Sequence, residues 1–203
     1  NLVSTTSGEV LLQLDGHRDP VDSLHFSPDG SQLASAARDG FVRVWSVDDG
    51  TLQNELRADP VANWTVRFLA GQRLFAAGER HSRLWDLTTE RVLKTFGTNN
   101  QLYFGAEPAP DGQRVVYGNY DGQIGVWSFD GDASGVLIGQ HSRFVSLSKQ
   151  LAGDGRFAVT GGAESVLVTD LEEGNTVYRL NLGQAGAGVL ALSPDERFLL
   201  VTA

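Results

Sequence analysis

Four histidines are the side chains of this sequence best suited to proton transfer or metal binding: His17, His25, His81 and His141. Asp39 follows His17 in the same predicted repeat unit, so a histidine–aspartate general base is one interpretation. The histidines are widely spaced, and the sequence has no HExxH motif and no cysteine. These features predict no zinc site and no thiolate chemistry.

Glycine-rich and acidic segments offer two further kinds of site. Residues 183–188 look like a phosphate-binding loop, but such a loop opens a helix, and an apolar strand is expected at 189–192. Three acidic groups adjoin glycines in predicted outer turns and lack the spacing of a calcium loop or an acid/base pair. They are Asp48 with Asp49, Asp130 with Asp132, and Glu172 with Glu173. The sequence therefore predicts no catalytic residue, no metal and no cofactor.

Composition and charge favour a globular chain that binds neither nucleic acid nor membrane. The 203 residues include 24 glycines, which suit many tight turns, and the formal net charge is −9. Nucleic acids and anionic membranes need a positive protein surface. No apolar run approaches the roughly 18 residues of a membrane span. The chain has no methionine, even at position 1, so we expect an excised piece. A cytoplasmic location is favoured, or a periplasmic one if a signal peptide was removed.

An internal repeat positions these residues. Apolar runs end at residues 45, 85, 127 and 169, so the spacings are 40, 42 and 42 residues. Asp-Gly or Pro-Asp turn signals recur in phase at 27–30, 110–112, 153–155 and 193–195. Short runs such as 21–26, 32–36, 41–47 and 51–56 predict four strands in each unit. A unit of this length with four antiparallel strands is typical of a propeller blade.

Residues 16–45, GHRDPVDSLHFSPDGSQLASAARDGFVRVW, resemble a WD repeat of bacterial type. They contain the glycine–histidine opening, the Ser-Pro-Asp-Gly turn and the Asp-Gly pair before the tryptophan strand. The resemblance implies an all-β fold, a β-propeller of four-stranded antiparallel blades. It also implies a structural hydrogen-bond network of His17, Ser35, Asp39 and Trp45. A structural role for His17 competes with its interpretation as a general base.

Later repeats depart from the WD pattern. Arg57 stands where the second repeat should have its histidine, and the third repeat keeps Trp127 without a histidine. The fourth repeat has His141, but Thr169 replaces the tryptophan. We therefore expect a complete network in one blade only. His141 is expected to repeat the role of His17, and apolar packing should hold the other blades.

The chain holds five blades' worth of sequence. Alignment on Gly50-Thr51-Leu52 predicts a single domain over 1–203, in which 1–15 and 187–203 together form one blade. Two arrangements fit this prediction: a closed five-bladed ring and a fragment of a seven-bladed ring. Open blade edges would favour self-association, because their backbone groups lack partners.

The resemblance places partner binding on the rim, where the loop entering each blade meets the turn between its second and third strands. Candidate contacts there are Arg18, Asp19, Arg38, Asp59, Trp64, Arg80, Asn99, Tyr120 and Arg143. Arginine, tryptophan and tyrosine are frequent at interface hot spots. We expect a non-catalytic scaffold for a protein or peptide partner. The alternative is a ligand-binding or enzymatic propeller that uses its central channel. The predicted first strands supply only three basic groups to such a channel, His25, Arg67 and Lys149, which are too few and too scattered for an obvious site.

Overall fold

The computed structural model describes residues 1–97, 101–131, 135–142, 146–151, 155–183, 190–193 and 197–202. Regular structure within these ranges consists of β-strands, and none of the described residues forms a helix. The strands are β1 (Leu2–Val3), β2 (Val10–Leu12), β3 (Val21–Phe26), β4 (Gln32–Ala37), β5 (Phe41–Ser46), β6 (Leu52–Arg57), β7 (Asn63–Leu69), β8 (Arg73–Gly78), β9 (Ser82–Asp86), β10 (Arg91–Phe96), β11 (Tyr103–Pro108), β12 (Arg114–Asn119), β13 (Gln123–Ser128), β14 (Val136–Gln140), β15 (Ser146–Leu151), β16 (Phe157–Gly161), β17 (Ser165–Asp170), β18 (Asn175–Asn181), β19 (Leu190–Leu192) and β20 (Leu199–Val201).

Four sheets contain four strands each, and strands that are consecutive in sequence are neighbours in the sheet. We call them blade 1 (β3–β6), blade 2 (β7–β10), blade 3 (β11–β14) and blade 4 (β15–β18). β1 pairs with β2, and β19 pairs with β20, as two-stranded sheets. The prediction of an all-β chain built from four-stranded antiparallel blades is confirmed. The joining of 1–15 and 187–203 into one blade stays a prediction.

Blade 1 follows its predicted strands closely, because its turns are specified locally. The turn between β4 and β5 contains Asp39, whose Oδ1 accepts a hydrogen bond from the Phe41 amide at 3.0 Å. Gly40 follows at φ 84°, and a Cβ there would lie 2.6 Å from the carbonyl oxygen of Asp59. Glycine is therefore required at this position by both conformation and space.

The chain divides into two compact units, one formed by Asn1–Gly78 with Arg83–Leu93 and the other by Glu79–Ser82 with Lys94–Ala203. The core of the first unit lies between blade 1 and the strands of blade 2. Small side chains of β4 allow the two faces to approach closely. The buried residues of this core are Ala34, Ala36, Val42, Val44, Leu56, Ala58, Val66, Phe68, Leu74, Ala76, Trp85 and Leu87.

The second unit has an apolar core between blades 3 and 4. Its buried members are Val116, Ile124, Ile138, Ala158, Leu167 and Leu171. A smaller cluster joins Val159 and Val166 of blade 4 to Leu199 and Val201 of β20. Apolar burial of this kind stabilises by about 25 cal/mol per Å² of surface removed from water.

Candidate functional site

The structure brings His17, Ser35, Asp39 and Trp45 together in blade 1. The Nδ1 atom of His17 lies 2.9 Å from Oδ2 of Asp39, and its Nε2 atom lies 2.7 Å from Oγ of Ser35. Nε1 of Trp45 donates a hydrogen bond to the same Oγ at 2.9 Å. The network ties the loop before β3 to β4, β5 and the turn between them.

Local strand pairing explains how these side chains meet. Ser35 on β4 pairs with Arg43 on β5, and Trp45 lies two residues further along β5, so both β5 side chains share one face. Gly16 lets the entering loop approach this face. A Cβ on Gly16 would lie 3.1 Å from Cη2 of Trp45. The glycine–histidine pair thus has a packing reason as well as a hydrogen-bonding one.

Arg43 is a member of the network that sequence reasoning missed. Its Nη1 atom lies 2.9 Å from Oδ2 of Asp39 and 2.6 Å from Nδ1 of His17. Its Nε atom donates to Oε2 of Glu55 at 2.8 Å, and its side chain is only 6% exposed. The available signal was an arginine inside an apolar strand, two residues before the tryptophan. A buried guanidinium of this kind requires carboxylate partners.

The carboxylate of Asp39 stays ionised in this setting. Burial alone would raise the pKa of Asp39, but hydrogen bonds from Arg43, His17 and the amides of Phe41 and Arg18 together lower that pKa below its ordinary value. A charged acceptor strengthens each of these hydrogen bonds. Asp39 is therefore the centre of the network and holds three chain segments in place.

The same contacts leave His17 poorly placed for catalysis. Nδ1 faces Asp39 and Arg43, and Nε2 faces the Ser35 hydroxyl, so neither ring nitrogen is open to a substrate. A general base must reach the proton that it removes. The geometry therefore favours the structural interpretation of His17.

Blade 4 contains a second buried histidine network. Nε2 of His141 lies 3.0 Å from Oγ1 of Thr160, and Nδ1 lies 3.2 Å from Oγ of Ser165. Thr160 occupies the position on β16 that Ser35 occupies on β4. The Ser165 hydroxyl replaces the Asp39 carboxylate as the second partner of the imidazole ring. Thr169 stands where blade 1 has tryptophan, and its hydroxyl has no hydrogen-bond partner among the described residues. His141 thus repeats the anchoring geometry of His17 with neutral partners.

Burial lowers the proton affinity of His141. The side chain is 1% exposed, and burial, assisted by the positive charge of Arg179, lowers its pKa to about 4. His141 is consequently neutral near pH 7, where one ring nitrogen donates a proton and the other accepts one.

Blade 3 replaces the polar network with stacked aromatic rings. The ring of Trp127 stacks on Tyr117 with centroids 4.2 Å apart and on Phe96 with centroids 5.2 Å apart. Tyr103 packs edge-on against Trp127 at 5.2 Å. Tyr117 occupies the position of Ser35 in blade 1, and Gly125 occupies the position of Arg43. A Cβ on Gly125 would lie 2.3 Å from the ring of Tyr117. The absence of a side chain on Gly125 makes room for this ring.

The rim candidates of the first unit include one arginine that contacts two neighbouring side chains. Nε and Nη2 of Arg38 donate to the two carboxylate oxygens of Asp22 at 2.9 and 3.1 Å. The guanidinium carbon also lies 5.5 Å from the ring centroid of Trp64, which is half-buried. Arg18 and Asp19 are exposed on the loop that precedes β3. The end of blades 1 and 2 where the resemblance places partner binding thus carries four candidates: Arg18, Asp19, Arg38 and Trp64.

The prediction that Asp59 is a partner contact on the rim is wrong. Asp59 is fully buried, and Oδ1 accepts hydrogen bonds from the amides of Val61 at 2.8 Å and Ala62 at 3.3 Å. Its side chain fills the space over Gly78, where a Cβ would lie 2.3 Å from the Cβ of Asp59. A carboxylate used in this way shapes the loop entering blade 2 and is not available to a partner.

The remaining rim candidates lie in the second unit. Arg80 is exposed, and Tyr120 is half-buried. Burial and the negative charge of Glu79 raise the pKa of Tyr120, so its hydroxyl stays protonated and can donate a hydrogen bond at neutral pH. Two candidates lie outside the described residues, namely Asn99 and Arg143.

The basic residues of the inner strands are engaged in joining blades 1 and 2. Nδ1 of His25 accepts a hydrogen bond from the Phe68 amide at 3.1 Å, and burial with the charge of Arg67 lowers the pKa of His25. Arg67 donates to the carbonyl oxygen of Val66 at 2.7 Å. Lys149 lies on β15, outside the described side chains.

Within the ranges that the structure describes, His, Cys, Asp and Glu side chains form no group of three that could hold a metal ion. No helix with the length and apolar character of a membrane span occurs there.

Comparison with known proteins places these blades in a family. The family model for the WD domain, G-beta repeat, matches residues 8–46. The chain is similar to WD repeat-containing protein SL1-17 of Schistosoma mansoni, with 33% identity over 83% of this chain and 56% of that protein. It is also similar to small ribosomal subunit protein RACK1y of Oryza sativa subsp. japonica, with 27% identity over 62% of this chain and 40% of that protein.

A third relative is the target of rapamycin complex subunit wat1 of Schizosaccharomyces pombe, with 28% identity over 62% of this chain and 40% of that protein. The chain spans about half or less of the length of these curated relatives. All three come from eukaryotes, and a bacterial origin stays a prediction. The matched repeat, the similar proteins and the four-stranded blades together show that the chain belongs to the WD-repeat family.

Proposed function

We propose that this chain is a non-catalytic scaffold that binds a protein or peptide partner on the rim of its blades. The observation that carries the proposal is the Arg38 side chain, which pairs with Asp22 and lies over the Trp64 ring while it remains 53% exposed. A side chain fixed before binding loses less conformational entropy when a partner arrives. Arginine and tryptophan are also the residue types that most often dominate interface energies.

The names of two relatives support an assembly role. RACK1y is named as a protein of the small ribosomal subunit, and wat1 as a subunit of the target of rapamycin complex. Membership of large assemblies requires protein-binding surfaces, and we extend this role to the present chain. The specific partner is expected to differ among these proteins, because rim residues such as Arg18, Asp19 and Arg38 lie in loops, which vary more than strands.

The absence of catalysis is part of the proposal. His17 and His141 both use their ring nitrogens in structural contacts, which supports a binding role over an acid–base role. The alternative, a ligand-binding or enzymatic central channel, depends on His25 and Arg67, and both contact the strands of blades 1 and 2. The net charge of −9 disfavours nucleic acid as the partner.

Self-association is a second part of the same proposal. The outermost strands β14 and β18 carry exposed apolar side chains: Val136, Leu137, Val177 and Tyr178 are 68%, 56%, 54% and 58% exposed. Outer strands also present backbone groups that can pair with another chain. These features support contacts between copies through blade edges.

A photo-crosslinking experiment tests the rim proposal. A photoreactive benzoylphenylalanine replaces Val61, which is 42% exposed in the loop entering blade 2, and the purified chain is irradiated in lysate of the organism that encodes it. We expect a discrete protein adduct that weakens in the Arg38→Glu background. The matched control places the crosslinker at Arg91, exposed at the start of β10. Equal adducts from both positions, or adducts unaffected by Arg38→Glu, would overturn the proposal.

A further inference from the structure

Contacts between consecutive blades follow a pattern at the end opposite the rim. A side chain on the fourth strand of one blade reaches the turn between the third and fourth strands of the next. In the first unit, Nδ2 of Asn54 on β6 donates to Oε1 of Glu90 at 2.7 Å. A polar side chain therefore spans this junction.

In the second unit, a lysine makes the corresponding contact. Nζ of Lys94 on β10 donates to the carbonyl oxygens of Ser128 at 2.9 Å and Phe129 at 3.0 Å, and also to that of Gly131. These carbonyls belong to the end of β13 and the turn that follows it. The ammonium group is thus held by the turn, while the aliphatic stem crosses the junction.

The next junction, between blades 3 and 4, lacks such a side chain. Val136 on β14 pairs with Val126 on β13, as Asn54 pairs with Val44 in blade 1. Valine is too short and apolar to reach the turn of blade 4, and Val136 is 68% exposed. A cleft of about 590 Å³ remains at this position. Its volume lies within the range of ligand-binding pockets.

The cleft combines an apolar wall with an acidic edge. Val126, Val136, Ile138 and Leu171 line it, together with Glu172 and Glu173 from the turn after β17. Both glutamates are exposed, and the side chain of Glu172 is 64% exposed. An apolar wall with carboxylates at one end complements an aliphatic chain that ends in a cation.

The cleft is also lined by a cation, Arg114, and this residue and the nearby Asp170 are already paired within the blades. Arg114 donates to the carbonyl oxygen of Leu171 at 2.9 Å and to Oδ2 of Asp111 at 2.7 Å. Asp170 accepts hydrogen bonds from Arg156 and from the amide of Glu172. Arg156 also lies 3.8 Å from Glu172, so one positive charge already faces this glutamate. Glu173 adds a second negative charge to the edge.

We propose that this cleft binds a lysine side chain presented by a protein partner. The aliphatic stem would lie against Val136 and Ile138, and the ammonium group would meet Glu172 and Glu173. Lys94 shows, within the same chain, that an ammonium group suits the turn of the next blade. The site is a second contact surface at the opposite end of the blades from the rim, and it does not depend on rim binding.

Methyl NMR with a defined probe tests the proposal. The probe is the peptide acetyl-Gly-Lys-Gly-amide, and the matched probe carries norleucine in place of lysine. We expect saturable shifts of the methyl signals of Val136, Ile138 and Leu171 with the lysine peptide. The Glu172→Gln/Glu173→Gln variant should weaken binding roughly fivefold, in keeping with two exposed charge pairs. Glu164→Gln, an exposed acid at the other end of blade 4, should leave binding unchanged.

A second variant supplies the missing side chain internally. Val136→Lys is expected to fill the cleft, abolish the methyl shifts caused by the probe and leave crosslinking at Val61 unaffected. Equal binding of the lysine and norleucine peptides would overturn the proposal. So would shifts that are absent at millimolar probe, or probe binding that persists in Val136→Lys. Loss of rim crosslinking with intact probe binding would count against the scaffold proposal alone.

Discussion

Arg43 and Asp39 form a nearly buried ion pair, with Nη1 of the arginine 2.9 Å from Oδ2 of the aspartate and side-chain exposures of 6% and 5%. The pair lies under the loop that carries His17, and it links this loop to β5. Breaking a buried pair by removing one partner leaves an uncompensated charge, whereas removing both partners costs far less.

We expect Asp39→Asn to lower the free energy of unfolding by about 3 kcal/mol, because Arg43 would lose its buried carboxylate. Urea denaturation followed by tryptophan fluorescence measures the change. Asp48→Asn, an exposed turn residue, serves as the control and should shift stability by less than about 0.5 kcal/mol. The double variant Asp39→Asn/Arg43→Met should lose less than the sum of its single changes, and strict additivity would contradict the pairing.

His141 should make the protein sensitive to mild acid. Its pKa is about 4 in the folded chain and 6.5 in its ordinary state, so the unfolded chain binds a proton first as pH falls. Stability from this group is therefore complete above about pH 6.5 and declines by about 3 kcal/mol as pH approaches 4.

The pH dependence is measured as the urea midpoint at pH 7, 5.5 and 4.5 for the wild type and for His141→Gln. The variant should show a flatter dependence, since glutamine does not titrate. Carboxylates with lowered pKa values, such as Asp29 at about 2, affect stability at lower pH and remain in both proteins. Parallel curves for the two proteins would rule out His141 as the titrating group.

In blade 3, the effect on stability of a substitution at Gly125 should depend on the side chain at position 117. Gly125→Ala places a methyl group where the tyrosine ring lies, and we expect a loss of roughly 1–3 kcal/mol from overpacking. Thermal unfolding measures this loss. In the Tyr117→Leu background the same alanine should cost little, because the ring is gone. An equal cost in both backgrounds would show that Gly125 is required for another reason.

Self-association through blade edges predicts a mass that depends on concentration. Light scattering over a range of concentrations should show species larger than the 21.9 kDa monomer. Tyr178→Lys on β18 should reduce them, because an edge lysine opposes strand pairing. Thr89→Lys, in an exposed turn, is the control. A constant mass near 21.9 kDa would instead favour the closed five-bladed ring.

The residues of blade 1 show how much of the fold follows from sequence. Strands β3–β6 lie within two residues of the ranges expected from apolar runs and turn signals. Ser35, Asp39 and Trp45 meet because short hairpins set their register locally. His17 joins them through a loop whose glycine permits close approach. Periodicity and turn chemistry are sufficient to predict the strands and their turns, whereas the network was implied by the resemblance to a WD repeat.

Other features depend on neighbours that are distant in sequence. Asp59 resembles an exposed loop residue, and only its packing over Gly78 on β8 reveals that it is buried. Val136 resembles an ordinary strand residue, and only its position beside the turn of blade 4 reveals that its short side chain leaves a cleft there. The sequence by itself determined the repeat and the strand pattern, because these depend on local register, and its resemblance to a WD repeat implied the histidine network. The tertiary structure decided which side chains are buried and which clefts stay open. The alternation of residues along a strand predicts the face of the sheet on which a side chain lies, but it does not predict which residues that side chain packs against.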